Sequence, residues 1–187
     1  DAWPTAFDEL AQAATQGGPS AAEVYLSALW ALDEEVVNTS SGAGGVAGGD
    51  AVATRIKDAM RVGAVPRLVA TLAWLMATYR DAAASTAANG AASSSTTSAS
   101  AANATSPADV VRQGLAVLGL YVPWIDASLV TNDHVMGIVM DACMDARFRS
   151  RAVPVLTRVV RKGMVDPHAK LQLLTRLGLA DAAVALA

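Results

Sequence analysis

Prolines and small polar residues punctuate this chain at the first turn of one apolar segment after another, and that arrangement restricts the fold more than any other feature. Pro19, Pro66, Pro107 and Pro167 each stand where a run with apolar residues at helical spacing begins. Proline has no main-chain N–H to donate and its φ is already helical, so the first turn accepts it while a helix interior does not. Between these starts the period is helical throughout. Phe7, Leu10, Ala11 and Ala14 fall on one face, Val24, Leu29, Trp30, Leu32 and Val36 on the next, and Val135, Ile138, Val139, Ala142 and Cys143 on a later one. No stretch alternates with the period of two that a strand needs. Aromatic residues make up only 5% of a chain that is 53% apolar and rich in alanine, which suits close-packed helices. The class is all-α.

Short turns join the segments. Gln16-Gly-Gly-Pro-Ser20 supplies a helix stop followed by a start, so the first two segments form an antiparallel helical hairpin. Such hairpins, each burying one seam, are the units of α-α solenoids, and several in succession predict a HEAT-repeat superhelix or a fragment of one. The divisions expected are helical hairpins over 1–81 with a Gly-rich loop at 38–49, a low-complexity insertion at 82–106, and further hairpins over 107–187. Residues 82–106 contain bulky apolar groups nowhere, which predicts an insertion unable to offset its own chain entropy. The opening Asp-Ala-Trp-Pro and the ending within DAAVALA read as a piece of a longer chain.

Enzyme chemistry has no foothold in the pattern. The loop Gly42-Ala-Gly-Gly-Val-Ala47 matches a loose dinucleotide fingerprint, yet no strand leads into it. Cys143 lies among inward positions of a helix, where a thiol serves packing. With one cysteine there is neither an internal disulfide nor a thiolate cluster, and a reducing compartment is expected. His134 and His168 lack partners at ligand spacing, so no metal or other cofactor is expected. The apolar run from Leu68 to Tyr79 is too short to span a bilayer of about 30 Å, and no membrane insertion is expected.

Charge carries the functional signal. Net charge is −3, but residues 147–176 hold eight Lys or Arg against one Asp, leaving six against sixteen elsewhere, or +7 beside −10. On the helix expected after Asp145, Arg147, Arg151, Arg158, Arg161 and Lys162 fall within an arc of about 100°, roughly opposite a seam of Phe148, Val159 and Val160. Arginine offers several fixed donors to phosphate oxygens, so a stripe of this kind suits an RNA backbone recognised by charge and shape. A stripe near a helix end can equally complement the helix dipole or pair with acidic neighbours. The acidic run Asp33-Glu-Glu35 is the converse: it opposes the dipole of the helix it ends, and Arg55, Lys57 and Arg61 on the following helix are its nearest potential partners.

The run Tyr121-Val-Pro-Trp-Ile-Asp126, then Leu129-Val-Thr-Asn-Asp133, then Arg149 leading to Arg161-Lys-Gly-Met164 resembles the tRNA exportins of the importin-β (karyopherin) superfamily. Leu32-Asp-Glu-Glu-Val36, Ile56-Lys-Asp-Ala-Met-Arg61 and Trp3-Pro-Thr-Ala-Phe7 are similar to further blocks of that family. The resemblance implies a stack of HEAT repeats from a longer superhelix. It also implies a carrier that is not an enzyme, binding tRNA together with Ran-GTP in the nucleus, meeting nuclear pore proteins and releasing its load in the cytoplasm. On that expectation Arg147 to Lys162 is a tRNA-backbone surface. The competing expectation is a protein-binding karyopherin or HEAT scaffold in which the same arginines pair with carboxylates.

Overall fold

The structure, a computed structural model, describes residues 3–37, 49–90, 105–164 and 166–178. Among these residues every regular element is helical: α1 (Trp3–Gln16), α2 (Gly18–Leu32), α3 (Gly49–Gly63), α4 (Val65–Gly90), α5 (Pro107–Tyr121), α6 (Ala127–Val130), α7 (Asp133–Met144), α8 (Arg149–Arg161) and α9 (Pro167–Arg176). A π-helical turn, Asp33–Val37, extends α2.

The helix starts follow from local chemistry. The Ser106 hydroxyl accepts from the Asp109 amide ahead of Pro107, the Asn132 side chain accepts from the Val135 amide, and the Asp166 carboxylate accepts from the His168 amide ahead of Pro167. Each satisfies a first-turn amide that has no partner within its helix. At the α1–α2 turn, Gly18 has a φ of +77°, a conformation that glycine adopts without steric penalty. Next to it, a β-carbon on Gly17 would lie 2.9 Å from the Ala13 carbonyl oxygen and 2.6 Å from Ala21 Cβ, so the hairpin closes only around a bare α-carbon.

Three hairpins stack in two layers. α1 packs on α2, α4 on α5 and α7 on α8; along the stack α1, α4 and α7 form one layer, while α2, α5 and α8 form the other. This is the HEAT-type arrangement that the helical periods predict. α3 packs beside α4 and the π-helical turn, and α6 bridges to α4 and α7. A single cluster of buried side chains runs from Ala14 to Val159 through Leu26, Leu72, Met76, Leu115, Tyr121 and Phe148. The central helix α5 is buried against its neighbours on several sides, with Val110, Leu115, Val117, Leu118 and Tyr121 at no more than 1% exposure.

The boundary expected at residue 82 falls elsewhere in the structure. α4 continues to Gly90, and Ala83 is buried, because alanine is the best helix former and this stretch still has a neighbour to pack on. Residues 91–104 lie outside the described residues, as does the Gly-rich loop over 38–48. The low-complexity segment therefore joins the two helices of the central hairpin, so the expected groups 1–81 and 107–187 share one core. Among the described residues no single helix is long and apolar enough to cross a membrane.

Candidate nucleic-acid interface

The eight cations between Arg147 and Arg176 are sorted by what their side chains reach. Arg147 lies outside α8, since that helix starts at Arg149 after the Phe148 N-cap. It forks onto Asp145, with Nη2 at 2.7 Å from Oδ2, while Nη1 donates to the Ala83 carbonyl of α4 at 3.1 Å. Its guanidinium also stands 5.0 Å from the Phe148 ring centroid, and Arg112 approaches the same ring at 6.0 Å. The hydrogen bond from Arg147 holds the Asp145 carboxyl below the ordinary carboxylate range. Arg147 is thus a strut between α4 and the α7–α8 turn, which corrects the expectation of a stripe continuous through it.

Lys162 is committed as well. Its ammonium donates to the carbonyls of Val122 at 2.8 Å and Pro123 at 3.2 Å, while Arg61 Nε donates to the next carbonyl, Trp124, at 3.0 Å. These three carbonyls follow directly on the last turn of α5, where its dipole is negative, so two cations, one from α3 and one from the C-cap of α8, hold the turn that ends it. Burial pushes the Lys162 ammonium below the ordinary lysine range, against the pull of Asp126. Arg149 donates to the Cys143 and Met144 carbonyls at the end of α7, Lys170 donates to the Lys162 carbonyl, and Arg176 donates to the Thr131 carbonyl beside Asp133.

Arg151, Arg158 and Arg161 remain. All three are exposed on α8, and among the described residues none of their side chains has a hydrogen bond or ion pair. They occupy an arc of about 80° on the helix. The buried seam of α8 consists of Ala152, Val155 and Val159, with Val160 only half-buried. Measured from the centre of that seam, Arg151, Arg158 and Arg161 lie about 70°, 90° and 150° away, so the first two border the α5–α8 contact and the third faces away from it. At this border α5 carries Gly119, where a β-carbon would stand 2.5 Å from Arg158 Nη1 and 3.5 Å from Val155 Cγ2. Arg112, which sequence reasoning did not single out, belongs to the same seam through its bond to the Arg147 carbonyl at 3.3 Å and its pair with Asp109. Its signal in sequence was only a lone arginine on an apolar helix.

Glu34 accepts from the Trp30 indole at 2.8 Å, and Arg61 turns to Asp58 at 2.8 Å and to the Trp124 carbonyl. Asp33 is buried close to Tyr121. Cys143 is fully buried and burial pushes its thiol up, in keeping with packing. Among the described residues no group of three His, Cys, Asp or Glu side chains is placed to hold a metal ion.

Comparison with known proteins adds a second line of observation. The profile of a family described as Exportin 1-like protein matches residues 1–156. The chain is 28% identical over 180 residues to Exportin-T of Mus musculus, an alignment covering 94% of this chain and 15% of the mouse protein. Exportin-T of Homo sapiens is 29% identical over the same span, and Exportin-T of Danio rerio is 27% identical over 179 residues. The chain spans about 15% of the length of these relatives.

Proposed function

Because this chain belongs to the Exportin 1-like protein family, we propose that it forms part of a nuclear export receptor for tRNA. The receptor takes up tRNA together with Ran-GTP in the nucleus, moves past nuclear pore proteins and releases its load in the cytoplasm. It works as a carrier and performs no catalytic step. The relatives named Exportin-T support the cargo class. The observation that carries the surface assignment is the sorting of cations: Arg151, Arg158 and Arg161 stand exposed on α8, while Arg147 and Lys162 are spent on main-chain carbonyls.

Guanidinium groups without a side-chain partner among the described residues, set along one helix, suit a ligand with regularly spaced anionic oxygens. Folded RNA presents its phosphates in that way, and double-stranded RNA is recognised mainly through shape and backbone. Contacts of this type release counterions, so binding weakens with salt in proportion to the number of phosphates neutralised.

The test measures tRNA affinity of the full-length polypeptide with and without Ran-GTP across a salt series, before and after Arg151, Arg158 and Arg161 are replaced by Glu. The expected result is weaker binding and a slope of log affinity against log salt that is lower by roughly 2 to 3. Unchanged affinity removes the RNA surface from α8. Loss of a protein cargo with tRNA binding intact assigns the arginines to an acidic protein partner.

A further inference from the structure

We propose that Gly119 is a positioning residue that seats the Arg158 guanidinium against α5. The proposal rests on reading the α8 arginines as a surface for RNA phosphates. Gly119 lies inside α5, where glycine weakens a helix relative to alanine unless something needs the space. Here the space is occupied by a charge. A β-carbon at this position would meet Arg158 Nη1 at 2.5 Å and come within 3.7 Å of Arg158 Cζ. Gly114, five residues earlier on the same helix, makes an apolar counterpart: its missing side chain admits Met76 of α4, whose Cγ would lie 2.9 Å from a β-carbon there. One glycine serves core packing and the other receives the tip of an exposed arginine.

No ion pair fixes Arg158 among the described residues, so its direction comes from the bare helix surface beneath it. A seated guanidinium has fewer rotamers to lose when a phosphate arrives, which is preorganisation achieved by omitting a side chain.

The test compares Gly119→Ala, Arg158→Ala, Arg158→Lys and the double variant Gly119→Ala/Arg158→Ala in the full-length polypeptide, with a tRNA transcript as probe. Gly119→Ala is expected to hold or raise the thermal midpoint, since alanine favours the helix and the displaced atoms are the flexible end of a side chain. Its tRNA affinity is expected to fall about fivefold at 0.15 M salt, with a salt slope lower by about 0.7 to 0.9, as for loss of one phosphate contact. Arg158→Ala gives the same loss, the double variant loses no more than either single one, and Arg158→Lys binds less tightly although its charge is kept. If Arg158→Ala weakens binding while Gly119→Ala binds like the parent, the seat is refuted and the RNA reading stands. If Arg158→Ala changes nothing, the RNA reading of this residue falls and the seat falls with it. A Gly119→Ala protein that fails to fold refutes the cheap displacement on which the seat depends, and an Arg158→Lys protein that binds like the parent refutes the role of the flat guanidinium.

Discussion

The hydroxyl of Tyr121 donates a buried 3.0 Å hydrogen bond to the main-chain carbonyl of Leu29, ninety-two positions earlier in the chain. It ties the end of α5 to the last turn of α2, within one layer of the stack, and both residues are fully buried. Burial pushes the phenol well above its ordinary pKa, so it remains a donor at any physiological pH.

Tyr121→Phe keeps the ring against Trp124 and removes only the donor. The Leu29 carbonyl keeps the bond it accepts from the Asp33 amide, so the loss is that of one net hydrogen bond, about 0.5 to 1.5 kcal/mol. Urea unfolding is expected to show a lower midpoint with an unchanged slope, since little surface is altered.

Lys162→Met separates support from binding. Methionine retains much of the stem but cannot donate to the Val122 and Pro123 carbonyls, and hydrogen bonds from a charged group contribute about 1.5 to 3 kcal/mol. The expected result is a clear fall in the thermal midpoint. Arg151→Ala, at an exposed site whose side chain has no partner among the described residues, is expected to change stability by less than about 0.5 kcal/mol while reducing the salt slope of tRNA binding by about 0.7 to 0.9.

The Asp145–Arg147 pair gives a pH dependence with a definite sign. The folded-state pKa of Asp145 is depressed, chiefly by the hydrogen bond from Arg147. Its stabilisation is therefore complete above the unfolded carboxylate value of about 3.9 and is lost as pH falls through the lower folded value. Asp145→Asn is expected to flatten that part of the acid unfolding curve, measured by circular dichroism from pH 6 downward. A variant curve parallel to the parent's throughout would show that the pair adds no linkage.

Phe148 sits fully buried beneath two guanidinium groups at the entry to α8. Phe148→Ala is expected to destabilise by about 3 to 5 kcal/mol, because a core cavity opens where Arg112 and Arg147 lose their ring. Differential scanning calorimetry reads the loss directly.

Much of this architecture was legible in the residues. Proline at a first turn and apolar positions at the helical period place most helices where the structure has them. The continuation of α4 to Gly90 was not legible, because composition alone does not reveal that Ala83 has a neighbour to pack on and an arginine to accept from. Nor was it legible, for a related reason, that two of the five expected site residues, Arg147 and Lys162, bind main-chain carbonyls. Helical spacing made Arg147, Arg151, Arg158, Arg161 and Lys162 look alike, although the first lies before the helix and the last binds carbonyls just past the end of another helix.

Sequence by itself determined the helical class, the turns and the concentration of positive charge near α8, since these depend on interactions between residues a few positions apart. Tertiary structure alone decided which cations stay available. The carbonyls that capture Lys162 and Arg147 come from residues forty and sixty-four positions away, and no local periodicity encodes which chain end will arrive beside a given side chain.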